Sequence, residues 1–270
     1  MKVILRDPML VLGFSILFLI LTLVILGPVI IPNDPLEMDM ENRLAGSSLQ
    51  YPLGTDFFGR CIFSRIVEGA KYTLGLAFLV LLASVMIGVP IGLLSGFIGG
   101  KLDAILMRIV DGLIAFPDFI LAIAIAGFLG LNMTNVVIAI IIVKWVSYAR
   151  LVRSSTLAEK EKDYILAAQL NGSRNGKILV KHLFPHIASQ VAIVASLDLG
   201  KIILIIASLS YLGIGAQPPT PEWGAMLNDA RAYFQTFPTL MIYPGLAIMM
   251  TVLSFNLIGD GLREALDMKN

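Results

Sequence analysis

Met9 to Ile31 reads MLVLGFSILFLILTLVILGPVII, an apolar run without a charged residue. At about 1.5 Å of rise per residue, a helix of this length crosses the roughly 30 Å hydrocarbon core of a bilayer. Lys2 and Arg6 precede it, as basic residues precede a secretory signal, but the run outlasts the usual h-region of about 7–15 residues and no Ala-x-Ala site follows. It reads as an uncleaved anchor and a first span. The rest of the chain agrees: hydrophobic residues make up 57% and charged residues 14% of the sequence, against about 25% charged in a soluble domain, and mean hydropathy is +0.85. Membrane lipid is the expected surrounding. A net charge of +1 gives no basic surplus for nucleic acid. Cys61 is the single cysteine, which rules out an intrachain disulfide and any thiolate metal motif.

Five more apolar segments follow. Tyr72 to Gly100 is uncharged and carries Gly75, Gly88, Pro90 and Gly92, which membrane helices tolerate where neighbours satisfy the backbone. The third span, from about Ala104 to Gly130, contains Asp111, Pro117 and Asp118, so a kink near Pro117 and packing against protein are expected. Leu131 to Asn135 reads as a turn, and a fourth span runs to about Tyr148 with Lys144 and Trp145 near its end. The fifth runs from about Ile187 to Tyr211 and the sixth from about Leu240 to Gly259, with a Pro/Gly-rich stretch, Gly213 to Pro221, between them. The fold expected is an all-α integral membrane protein of about six transmembrane helices, without an internal repeat.

Basic residues in the loops orient these spans, because cytoplasmic segments keep an excess of Lys and Arg. Between spans four and five lie Arg150, Arg153, Lys160, Lys162, Arg174, Lys177 and Lys181 against Glu159, Glu161 and Asp163. That loop, residues 150–186, is expected in the cytoplasm together with both termini. The acid-rich segment Pro32 to Lys71 then lies outside. Residues 1–71 form an anchor helix and extracytoplasmic segment, and residues 72–270 a core domain.

Within the loop, Asp163 to Pro185 reads DYILAAQLNGSRNGKILVKHLFP: a helical start, a glycine break and a second amphipathic stretch ending at a proline. Such a helix suits a groove on a partner protein, or an interfacial position against lipid headgroups. The segment resembles the Glu-Ala-Ala, Gly, Ile-x-Leu-Pro loop of ABC-importer permeases, with Ala167, Ala168, Gly172 and Pro185 at matching positions. Leu166, His182 and Phe184 depart from that pattern, and Leu166 leaves no carboxylate there to carry coupling. Leu53 to Arg60 with Ser64-Arg65, Phe116-Pro117, Leu209 to Pro219 with Glu222-Trp223-Gly224, and Asn256 to Arg263 are similar to further stretches of one branch, the dipeptide, oligopeptide and nickel permeases of the second, C-type subunit.

That resemblance implies the type I ABC importer permease fold. It also implies partners: a second homologous permease, two cytoplasmic ATPases that use ATP and magnesium, and an extracytoplasmic binding protein. This chain is expected to bind no cofactor and to have no catalytic residue. Gly172 to Lys177 has three residues between its glycines and Ile178 after the lysine, which fails the phosphate-loop pattern.

Charges within the spans are the candidate path residues, since an ionisable group at that depth is costly and faces a bundle interior or a wet cavity. Asp198 and Lys201, three apart on one face, either neutralise each other or line the route. Asp111 has Arg108 as a local partner, whereas Asp118 has none and stands beside the backbone break at Pro117. His182 and His186 have i, i+4 spacing but no third ligand, and the twelve methionines read as core filler, so no metal site is assigned. A proton-coupled secondary transporter is the competing class; a membrane enzyme ranks behind it, because no nucleophile–base set lies in the spans. For cargo, Ile206 stands where peptide permeases often have a glutamate. Leu197 to Gly200 and Glu222 to Arg231 are similar to nickel-type permeases, so nickel or a small metal chelate is favoured over a dipeptide.

The topology is checked by cysteine labelling after Cys61→Ser. Lys160→Cys should resist an impermeant reagent added to intact cells and react after the membrane is opened. Rapid labelling from outside would invert the orientation.

Overall fold

A computed structural model describes residues 7–30 and 33–267. Lys2, Arg6, the chain termini and Ile31, the last residue of the first predicted span, lie outside the described residues. Five helices are long and apolar enough to cross a membrane, six when one sharply bent pair counts as a single span. Among the described residues no strand forms; a lone bridge joins Thr55 to Cys61.

α1 (Pro8–Ile30) fully buries only Leu10, Gly13 and Gly27, packs Leu17 and Val24 partly against the bundle and leaves most of its apolar surface exposed. α2 (Ile62–Ile98) has 37 residues, about 55 Å at helical rise, so its first turns stand above the apolar run that begins at Tyr72. α3 (Gly100–Ile114) and α4 (Asp118–Leu129) meet at 91°. The expected kink at Pro117 is thus a full elbow, and Pro117, which lacks an N–H, stands immediately before α4. α5 (Met133–Glu159) runs eleven residues past the predicted end at Tyr148 and carries Arg150 and Arg153 on its last turns.

α2 and α5 form the central seam. Gly88, Gly92 and Gly96 recur every fourth residue of α2 and so share one face. A Cβ at Gly88 would lie 2.5 Å from the Trp145 carbonyl, one at Gly92 2.5 Å from the Ala149 carbonyl, and one at Gly96 2.8 Å from Thr156 Cβ. The helices run in the same direction with backbones in contact, as small residues at every fourth position allow in lipid. α3 and α4 must therefore return the chain across the membrane between them.

α6 (Asp163–Leu170) and the short turn α7 (Asn175–Lys177) follow α5 on what is here named the loop face. A π-helical stretch, Ile178–Leu183, feeds straight into α8 (Phe184–Tyr211). Pro185 therefore does not end a helix, as its position in the sequence suggested. It sits in the first turn of α8, after a wide turn that tolerates a missing amide donor. α9 (Trp223–Ala230) caps the opposite end, and α10 (Thr239–Asp267) packs along α1 and α8.

The opposite, or cap, face is built from residues 33–61 and α9. Asp56 organises it: Oδ1 accepts from the amides of Phe58 (2.8 Å) and Arg60 (3.0 Å), and Oδ2 from Arg60 Nε at 2.7 Å. Arg65 of α2 reaches Asp56 at 3.6 Å and Asp229 of α9 at 3.9 Å. Burial pushes the Asp229 carboxyl up, against the pull of Arg65 and Arg60. Fully buried Glu222 accepts from Thr73 Oγ1 and from the Ala225 amide, while the Trp223 indole donates to the Ile66 carbonyl. The stretch Leu53 to Arg65 and the Glu222-Trp223-Gly224 motif are thus two halves of one staple across the cap-face end of α2.

Gly92→Leu should lower thermal stability in detergent by at least the roughly 1–3 kcal/mol of an overpacked core. Gly75→Leu, where a Cβ meets nothing within 4 Å, should unfold like the wild type; equal effects would contradict the seam.

Candidate functional site

Two groups of residues stand out, one at mid-span and one on the loop face. At mid-span, the elbow places Asp118 at the first residue of α4, where the N-terminal amides favour its negative charge. Lys144 of α5 lies 3.0 Å from Asp118 Oδ2 and 3.9 Å from Asp198 Oδ1 of α8. Lys201 Nζ is 3.8 Å from the same Asp198 oxygen. The side chains of Lys144 and Asp198 are 5% and 7% exposed, while Asp118 is 43% and Lys201 67% exposed. The cluster is two carboxylates and two ammoniums, with a buried pair inside and an exposed pair at its edge.

The structure therefore brings Asp118, Asp198 and Lys201 together through Lys144, which sequence reading left as an ordinary residue near the end of a span. A buried ammonium costs several kcal/mol unless paired, and two acids in neighbouring spans signal that a base is needed between them. Asp111 pairs with Arg150 of α5 instead of with Arg108 in its own helix. Ile206, whose identity was weighed as a clue to cargo, is fully buried in the central core. In this chain it bears on packing.

On the loop face, Ile165, Ile178 and Leu183 are fully buried and seat the loop, with Ala168 8% exposed among them. Ala167 faces outward. Its carbonyl accepts from the Asn171 amide and that of Ala168 from the Ser173 amide, closing α6 around Gly172, whose φ of 75° is the left-handed conformation a glycine adopts freely. Pro185 lies at the base of α8, away from this turn in the chain. The Glu159 carboxylate accepts from Tyr164 Oη at 2.8 Å and from Lys162 Nζ at 2.6 Å. Burial and this carboxylate push the Tyr164 hydroxyl up to about 12. Leu166, Leu170, Val180 and Phe184 remain exposed, Leu170 at 90%, an apolar surface on a basic loop. Among the described residues no three His, Cys, Asp or Glu side chains converge on a point that could hold a metal.

Residues 88–269 match the family described as "binding-protein-dependent transport system inner membrane component". The chain is 40% identical to the dipeptide transport system permease protein DppC of Alkalihalophilus pseudofirmus, over 98% of this chain and 87% of that one. It is 41% identical to the nickel transport system permease protein NikC of Escherichia coli K12, over 88% and 86% of the two chains. It is 46% identical to the glutathione transport system permease protein GsiD of Pectobacterium atrosepticum, over 86% and 77%. In fold it is similar to a chain of the MetNI methionine ABC transporter in an inward-facing conformation, with TM-score 0.60 and 19% identity over 74% of this chain and 95% of that one.

The chain belongs to the inner-membrane permease family of binding-protein-dependent ABC importers, in the branch that contains the dipeptide, nickel and glutathione permeases. It is an integral membrane transport subunit and not an enzyme; ATP hydrolysis belongs to separate subunits.

Lys144→Met leaves buried Asp198 with only the largely exposed Lys201 at 3.8 Å beside it, a loss of up to about 3–5 kcal/mol for a broken buried pair. Thermal unfolding of the purified complex should fall accordingly and recover in Lys144→Met with Asp198→Asn. A Lys144→Met protein as stable as wild type would show that the cluster does not hold the helices.

Proposed function

We propose that this permease carries a small carboxylate-bearing solute, with a nickel chelate first, past the cluster of Asp118, Lys144, Asp198 and Lys201. The observation that carries this reading is Lys201: an ammonium 67% exposed midway along an apolar helix is tolerated only against a wet path or another protein chain. There it attracts carboxylates through a low-dielectric cavity, which suits a chelate better than a bare cation. Similarity to the nickel permease supports the cargo class. Similarity to the dipeptide permease over 98% of this chain supports a second reading, a dipeptide, whose carboxylate would meet Lys201 and whose ammonium would meet the half-exposed Asp118.

In this reading two cytoplasmic ATPases, using ATP and magnesium, seat on the apolar surface around Ala167, Ala168 and Gly172, with Pro185 at the root of the loop. A second homologous permease closes the path, and a binding protein delivers cargo to the cap face. The chain binds no cofactor itself. Residues 150–186 and both termini face the cytoplasm, residues 72–270 form the core domain, and residues 1–71 add the anchor and outer segment. Membership of the ABC-importer permease family sets aside the alternative of a proton-coupled carrier.

The cargo test is uptake in cells deleted for this gene and complemented with wild type or Lys201→Gln. Wild type should restore accumulation of radioactive nickel supplied with a chelator, and Lys201→Gln should lose at least about tenfold of it, one charge interaction of roughly 1.4 kcal/mol. Restoration of labelled dipeptide uptake alone would replace the metal reading with the peptide one.

A further inference from the structure

α3 carries two acids and two bases, and the fold separates them. Asp103 and Asp111 turn toward α5, where Arg153 Nη2 donates to Asp103 Oδ2 at 2.6 Å and Arg150 pairs with Asp111. Lys101 and Arg108 are exposed and have no ion-pair partner among the described residues. They stand seven apart, two turns along one face, with Ile105 between them. Ile105 is 64% exposed, flanked by Leu102 and Ile109 at 42% and 52%. Had Arg108 paired with Asp111, as its position in the helix suggested, this face would carry one positive charge; the pairing of Asp111 with Arg150 leaves it with two.

The position of α3 gives this face its partner. The helix starts beside the loop-face end of α2, where Lys160 Nζ donates to the Gly96 carbonyl and Ser95 to Asp103. From there it descends obliquely. Between Asp103 and Asp111 it advances about 12 Å, while its partners on α5 move only from Arg153 to Arg150, about 4–5 Å. It then meets α4 at 91°. An oblique helix that starts at the loop face and exposes two bases beside Leu102, Ile105 and Ile109 has the composition of an interfacial amphipathic helix. Basic side chains on such a helix extend back toward the phosphates.

We propose that the outward face of α3, with Lys101, Arg108 and Ile105 at its centre, is a binding site for anionic phospholipid in the loop-face leaflet. The two bases hold headgroup phosphates, and Leu102, Ile105 and Ile109 lie along the acyl chains. The acids turned toward α5 keep the outer face free of repulsion. Occupancy of this face also presses α3 against Arg150 and Arg153, and so steadies the elbow that presents Asp118.

The test places the photoreactive residue benzoylphenylalanine at Ile105 in the intact importer complex, reconstituted into phosphatidylcholine vesicles containing phosphatidylglycerol. After illumination, mass spectrometry reads the ratio of phosphatidylglycerol to phosphatidylcholine adducts, a ratio independent of protein yield. Wild type should exceed the ratio in the bulk membrane. K101Q/R108Q should lower it at least about tenfold, since each basic residue near the surface contributes about fivefold. Lys101→Arg with Arg108→Lys should keep it. Adducts to another subunit instead of lipid, a wild-type ratio equal to the bulk, or no change in K101Q/R108Q would each overturn the site.

Discussion

Lys144 is a buried ammonium shared between two carboxylates on two other helices, 3.0 Å from Asp118 and 3.9 Å from Asp198. No single helix satisfies it. α4, α5 and α8 must come together at this depth or leave a charge stranded in a medium where that costs several kcal/mol. The elbow between α3 and α4 follows from the same need: a straight span would carry Asp118 along its own axis, whereas the break at Pro117 sets the carboxylate at a helix start facing Lys144. The buried pair fixes the bundle, and the members at its edge, Asp118 and Lys201, are left facing outward.

The rest of the molecule divides into a frame packed around α2 and a loop that runs into α8. The α2–α5 glycine seam and the Asp56–Arg60–Arg65–Asp229 staple hold the frame at both ends of α2. The loop is seated differently. Ile178 and Leu183 are buried, yet the π-helical turn they bracket continues directly into α8, and α8 carries Asp198 and Lys201. The loop and the charged cluster thus share one continuous helical path, with the π-helical turn and Pro185 at its root. Two arrangements of that helix, biased by a partner with two nucleotide states, are what a coupled permease needs.

Much of this architecture could be read from the sequence, because span length and a proline break are local properties. The first span, the Pro117 break and the Asp198–Lys201 pairing depend on neighbours within a few residues. What could not be read depends on separation. Asp111 has a base three residues away in its own helix and still pairs with Arg150, because α3 lies obliquely on α5. Lys144 finds Asp118 across 26 positions. Pro185 resembled a helix stop because the wide turn before it arises from helix packing, not from composition. Leu53 to Arg60 was recognisable as a motif, but only its meeting with Arg65 and Asp229 explains Asp56, Gly54 and Gly59. The last two adopt φ of 81° and 78° in the turns around that carboxylate.

Transport past the cluster requires that its edge open onto water and not onto lipid. In a Cys61→Ser background, Lys201→Cys and Phe18→Cys report on two surfaces that are both exposed in the isolated chain. A membrane-impermeant, water-soluble thiosulfonate reagent, applied to both sides of the purified complex in vesicles, should modify Lys201→Cys at a measurable rate and leave Phe18→Cys, on the apolar face of α1, unmodified. Protection of Lys201→Cys by the transported solute would place the cargo against it. Equal inertness at the two positions, in a complex that still transports, would contradict a wet path at Lys201.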